Sequence, residues 1–148
     1  MDSLTKFFTA TDTLVQLSED NQLAHEDHQT MMHPGMWLRD MATVNLTLPR
    51  RVGKTSYISK RAKCADLVIV HNREMKREYR NSRALVVTLP EFLSLVRGGR
   101  EHRGFNRVYI DEPRLVFNDK FTVNEMYSLF CGESGARVCA NMFIMLGT

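Results

Sequence analysis

The spacing of apolar residues changes along this chain. Leu14, Val15 and Leu17 fit a helix beginning near Thr11 or Asp12, with Thr or Asp as its cap. The next stretch, SEDNQLAHEDHQT, has almost no apolar stripe and reads as a loop or an exposed helix. Pro34-Gly35 punctuates it, and Met36, Trp37, Leu38 and Met41 then form one short amphipathic turn. From Val44 the period becomes two, with Val44, Leu46 and Leu48 apolar and Asn45 and Thr47 between them, which predicts a strand. Four more runs follow at 67–70, 84–87, 108–110 and 142–146. Such continuous β-branched runs suit strands buried on both faces of a parallel sheet. The segments between, roughly 54–64, 72–80, 90–97 and 122–130, are predicted helices. This alternation predicts an α/β fold, a doubly wound, mostly parallel five-stranded sheet over 43–148, preceded by a short helical or irregular N-terminal extension over 1–42.

Composition narrows the class. The chain has 148 residues, 43% of them apolar and 25% charged, as expected of one globular domain and not of a collagen-like, disordered or disulfide-scaffold protein. No apolar run approaches the roughly 18 residues of a membrane span. The N-terminus lacks the basic start and apolar core of a secretory signal. Cys64, Cys131 and Cys139 form no even framework and no CxxC pair, and read as reduced thiols of a cytoplasmic protein. The net charge of +3 conceals segregation: residues 1–30 carry −5, residues 31–110 carry +10 and residues 111–148 carry −2. A basic middle between acidic ends fits a phosphate-rich ligand, although a solvated, salt-bridged surface accounts for charge alone equally simply.

The first strand runs into Leu48-Pro49-Arg50-Arg51-Val52-Gly53-Lys54-Thr55-Ser56, where a helix starts. A turn from strand end to helix N-terminus aims backbone N–H groups and the positive end of the helix dipole at one point. Gly53 permits close approach of the backbone to a phosphate. Lys54 supplies a point charge for the β- and γ-phosphates, and Thr55 a hydroxyl for Mg²⁺. The match to G-x-x-x-x-G-K-[ST] is partial, because Leu48 stands where the first glycine belongs. The bland alternative is a strand-to-helix turn with a surface lysine. Farther on, Val108-Tyr109-Ile110 ends in Asp111-Glu112. With a phosphate turn upstream, Asp111 is placed to hold Mg²⁺ and Glu112 to orient or deprotonate a water. Alone, Asp-Glu-Pro is simply a good turn sequence.

Taken in order, Gly53-Lys54-Thr55, then Ala65 to Val70, then Val87 to Leu93, then Val108 to Glu112, then Ile144 to Thr148 resemble the RecA-like P-loop ATPase core. More narrowly, residues 43–148 are similar to the ATPase domain of viral large terminases and to the first lobe of superfamily-two helicases. The resemblance implies an ATP hydrolase in which the 48–56 turn is Walker A and the Asp111-Glu112 strand is Walker B. It assigns ATP to residues Pro49 to Ser56, with Arg50 or Arg51 steadying phosphate charge. It gives Mg²⁺ to Thr55 and Asp111, catalytic roles to Lys54 and Glu112, and a coupling or sensor role to Thr148. A motor of this kind has a second lobe or a neighbouring subunit that supplies an arginine worth ~10³–10⁵ in rate. Neither a second lobe nor a terminase nuclease domain lies within these residues. The resemblance therefore implies self-assembly, a protein partner or a place in a longer product, with weak intrinsic hydrolysis and a nucleic acid, DNA first, as the object of the motor.

Other constellations carry less. Arg73, Lys76, Arg77 and Arg80 recur at helical spacing after the second strand and can neutralise nucleic-acid phosphates, with an exposed charged helix as an equal alternative. His25, His28 and His33 match no standard metal spacing and read as part of a solvated polar segment. Gln22 or Gln29 is a candidate adenine contact by the same resemblance. Two rival functions stand beside the ATPase: a small viral-type interaction protein that keeps the motor fold and docks on a partner without hydrolysis, and a bare nucleic-acid-binding module on 73–83.

Overall fold

The computed structural model describes residues 2–99, 103–132 and 138–148. Five strands, β1 (Thr43–Thr47), β2 (Leu67–Val70), β3 (Leu85–Thr88), β4 (Gly104–Asp111) and β5 (Cys139–Gly147), form one sheet in the order β1-β5-β4-β2-β3. Every pairing is parallel. The described α-helices are α1 (Ser3–Ala24), α2 (Glu26–Gln29), α3 (Pro34–Asp40), α4 (Lys54–Arg61), α5 (Arg73–Lys76), α6 (Leu89–Arg97), α7 (Pro113–Val116) and α8 (Val123–Phe130).

Strand alternation sends side chains into two separate cores. Leu67, Ile69, Ile110, Phe143 and Met145 pack with residues of α3, α6, α7 and α8. Val68, Val70, Tyr109, Ile144 and Leu146 pack with residues of α1 and α4 and with Tyr79. Helices therefore cover both faces, as a sheet with continuous apolar strands requires. Local signals start two of these helices. Thr88 and Glu91 form a reciprocal capping box at α6, and Thr122 and Glu125 form another at α8.

Two expectations change. The first helix starts at Ser3, not near Thr11, because the Asp2 carboxylate accepts the Thr5 N–H at 2.7 Å and caps it there. It runs for 22 residues through most of the polar stretch. Its buried stripe is Phe7, Thr11 and Val15, whereas Leu14 and Leu17 face outward. A polar residue in mid-stripe hid the periodicity. This helix forms part of one helical layer, fixed by Asp12 to Tyr57 and Arg61 and by Glu19 to Arg107. The helix expected over 72–80 is instead one α turn, α5, followed by a 3₁₀ turn at Arg77–Tyr79.

Candidate functional site

Register brings three chain exits together. Thr47 of β1 lies beside Gly147 of β5, and Leu146 of β5 lies beside Asp111 of β4. Leu48 N–H donates to the Gly147 carbonyl at 2.7 Å, and Glu112 N–H donates to the Leu146 carbonyl at 2.9 Å. The turn after β1, the acidic pair after β4 and Thr148 after β5 therefore emerge at one edge of the sheet. Because β5 intervenes, the turn and the acids stand two strand spacings apart, ~10 Å. Crevices at the carboxyl ends of parallel strands are where open α/β sheets bind ligands.

Lys54 crosses this gap. Its Nζ lies 3.2 Å from Glu112 Oε1 and donates to Thr148 Oγ1 at 3.3 Å. The Thr148 hydroxyl donates to Glu112 Oε1 at 2.7 Å, and the Thr148 N–H donates to Oε2 at 3.2 Å. Beside this cluster, Thr55 Oγ1 donates to Asp111 Oδ2 at 2.9 Å. The Tyr79 hydroxyl donates to the same oxygen at 2.6 Å. Lys54 is 8% exposed and Asp111 1%. Partial burial opposes ionisation of Glu112, but the bonds from Thr148 and Lys54 outweigh it and hold its carboxyl below the usual range.

The backbone at this edge is unusual. Gly53 has φ +102°, and a Cβ there would collide with Leu4 Cδ1 at the start of α1. Arg51 and Glu112, both at φ 61°, are the described non-glycine residues in the left-handed region. Each such residue costs about 1–3 kcal/mol, and such strain gathers at functional sites. Both line the same cleft of about 740 Å³. The first turn of α4, Lys54 to Ser56, forms part of its wall, so unpaired helix N–H groups border it. Four cationic side chains, Arg50, Arg51, Lys54 and Arg114, face two carboxylates, Asp111 and Glu112.

Most expected residues thus meet. Arg50, Arg51, Gly53, Lys54, Thr55, Ser56, Asp111, Glu112 and Thr148 all line the cleft. Pro49 and Val52 belong to the turn without lining it. Arg73, Lys76, Arg77 and Arg80 lie outside the cleft, on the segment after β2. Lys76 is bonded to Glu91 of α6 at 3.0 Å and so differs from the exposed arginines beside it. Gln22 and Gln29 line another cleft, with Trp37 and Asn141 near the start of β5, at the opposite end of the strands. No group of three or more His, Cys, Asp or Glu side chains gathers for a metal among the described residues, His25 and His28 included.

Arg114 and Tyr79 escaped the sequence reading, and His71 was legible only as the first member of the run after the second strand. Arg114, immediately beyond Asp-Glu-Pro, donates through Nη1 to the Thr148 carbonyl at 3.2 Å. His71, at the end of β2, lines the cleft, and its buried Nδ1 has no hydrogen-bond partner among the described residues. Tyr79 reaches Asp111 from a segment whose only legible signal was positive charge. Compared with family models, with curated proteins and with solved structures, the chain gives no significant match. No described helix is long and apolar enough to cross a membrane.

Proposed function

We propose that this chain is a P-loop NTPase domain of RecA-like kind that binds MgATP and hydrolyses it weakly alone, as part of a nucleic-acid-linked or packaging-type machine. The observation that carries the reading is the paired network Lys54–Glu112–Thr148 and Thr55–Asp111. The residue types needed to hold phosphate, hold a cation and activate water arrive from three strand ends and meet within hydrogen-bond distance. The position of β5 between the turn strand and the acid strand leaves a gap that a phosphate chain fits.

The cleft suits the nucleotide and its metal. Its surplus of cations matches a polyphosphate, and the first turn of α4 offers backbone donors. Mg²⁺ keeps most of its waters and needs one or two protein ligands besides phosphate oxygens. Thr55 Oγ1 and Asp111 Oδ2 are such a pair. The unpartnered His71 Nδ1 is a polar atom that a ligand group would satisfy. Mg²⁺, when bound, would neutralise charge on the phosphate oxygens. Lys54 would exchange Glu112 for phosphate oxygens. Glu112, already ionised and aimed by two bonds from Thr148, would accept a proton from the attacking water. Arg50, Arg51 and Arg114 would steady phosphate charge. An arginine from a second subunit or lobe would supply the remaining ~10³–10⁵ in rate.

Thermal unfolding of the full chain with and without MgATP tests this. At one hundred times the dissociation constant the ligand adds about 2.7 kcal/mol. For a chain of this length that raises Tm by roughly 5–10 °C. Lys54→Ala is expected to abolish the difference between the two melts. No rise with the natural sequence at millimolar MgATP, or a rise that survives in Lys54→Ala, would overturn the reading.

A further inference from the structure

Tyr79 is a buried anchor in a largely exposed segment whose cations outnumber its two acids, Glu74 and Glu78. The chain leaves β2, makes the single turn α5 and the 3₁₀ turn, and presents Arg73, Arg77, Arg80 and Arg83 to solvent. Tyr79, 2% exposed, points the other way. In a 3₁₀ turn, residues three apart eclipse, so Arg77 and Arg80 share the outer side while Tyr79 takes the inner one. Its hydroxyl donates to Asp111 Oδ2 at 2.6 Å, the oxygen that also accepts from Thr55. An ionised carboxylate only accepts, so the phenol must be the donor. One oxygen atom thus joins the end of β4, the first turn of α4 and the basic segment.

We infer that Tyr79 is a positioning residue that couples a nucleic-acid phosphate backbone, held on Arg73, Arg77 and Arg80, to the carboxylate that would hold the metal. The inference rests on the nucleotide reading above. If Thr55 turned its hydroxyl to a cation, Tyr79 would still hold Asp111 Oδ2 through its 2.6 Å bond. Arg80 is the next residue after Tyr79, and Arg77 is two before it. A polyanion that pulls or clamps these arginines therefore moves the phenol with them. Hydrogen bonds weaken steeply with distance and angle, so a small displacement is felt at the carboxylate. A nucleic-acid backbone is the occupant because the exposed Arg73, Arg77, Arg80 and Arg83 repeat along the segment and outnumber the exposed Glu74 and Glu78, and repeated cations match repeated phosphates.

The test is a coupling measurement on the full chain. MgATP is titrated with and without an oligothymidylate of about 20 nucleotides. The proteins are the natural sequence, Tyr79→Phe, and the double variant Arg77→Ala/Arg80→Ala. The oligonucleotide is expected to change the natural protein's MgATP dissociation constant about 5-fold or more. Tyr79→Phe keeps the ring and removes one oxygen, so it should still melt cooperatively and bind the oligonucleotide, with a weaker MgATP affinity that the oligonucleotide no longer changes. The double variant should weaken oligonucleotide binding and reduce its salt slope by about 2. Coupling that persists in Tyr79→Phe would overturn the inference, as would a natural protein that binds both ligands without coupling; either result leaves the nucleotide reading standing. Absence of MgATP binding by the natural protein, seen in the titration without oligonucleotide, would overturn the nucleotide reading and this inference with it.

Discussion

The two faces of the sheet are sealed by different physics. On the face covered by α3, α6 and α8, aromatic rings interlock. Phe92 and Phe130 stack at 5.6 Å with planes 4° apart, and Phe130 meets Phe143 edge-on at 5.2 Å. On the face covered by α1 and α4, three deeply buried tyrosines carry hydroxyls that need partners. Tyr57 donates to Asp12, Tyr79 donates to Asp111, and Tyr109 accepts from Arg107. The first face is held by shape and transfer from water. The second trades some of that for buried polar bonds that fix direction, and two of its elements reach the cleft: Leu4 of α1 against Gly53, and Tyr79 against Asp111. The polar face is therefore the one through which changes elsewhere can reach the site.

Truncation at the centre of the apolar face should cost the most. Phe130→Ala removes a ring packed against three others and is expected to lose about 3–5 kcal/mol in denaturant unfolding. Because Phe130 lies away from the cleft, any MgATP-dependent rise in Tm should survive in proportion. Loss of that rise alone would show that the two faces are not independent.

On the polar face Asp12→Ala should cost less, about 1–3 kcal/mol, mainly because the fully buried Tyr57 hydroxyl loses its acceptor. The Arg61 pair is 37% and 43% exposed and adds little. The hydrogen bond from Arg61, opposed by partial burial and reinforced by Tyr57, holds the Asp12 carboxyl below its ordinary value of 3.8. A carboxyl lowered on folding contributes stability above its unfolded pKa and loses it as pH falls through the folded one. The gap between the natural protein and Asp12→Ala should therefore be full at pH 7 and narrow below pH 3.8. Denaturant midpoints at neutral and acid pH measure it; a gap unchanged by acid would remove the ionic part of the comparison.

The smallest expected effect returns to the apolar side. Thr122→Ala removes an exposed capping box at α8 and should cost about 1 kcal/mol in denaturant unfolding. A much larger loss would mean that α8 depends on its cap and not on the Phe130 cluster.

Much of the site was visible in the order of residues. A glycine, lysine and threonine between a strand and a helix, and two acids closing another strand, are local patterns whose chemistry follows from residue type. The strands were equally plain: four carried apolar runs with no polar phase, and β1 an alternation of Val44, Leu46 and Leu48 with Asn45 and Thr47. The first helix was harder to place. Thr11 interrupts its buried stripe, and its true start depends on one short bond from Asp2 to Thr5. Tyr79 and Arg114 carried no pattern at all, since each acquires its place from an element distant in sequence.

The amino-acid order alone determined an alternating α/β chain with five strands, a basic middle and two clusters of phosphate- and acid-type residues. Hydrophobic period, helix caps and side-chain chemistry are properties of neighbours along the chain. Tertiary structure decided that β5 would lie between β1 and β4, that Thr148 would bond Glu112 beside Lys54, and that Tyr79 and Thr55 would share one oxygen of Asp111. Those hydrogen bonds join residues 32 to 94 positions apart. They arise from parallel register and layer packing, which no local spacing encodes.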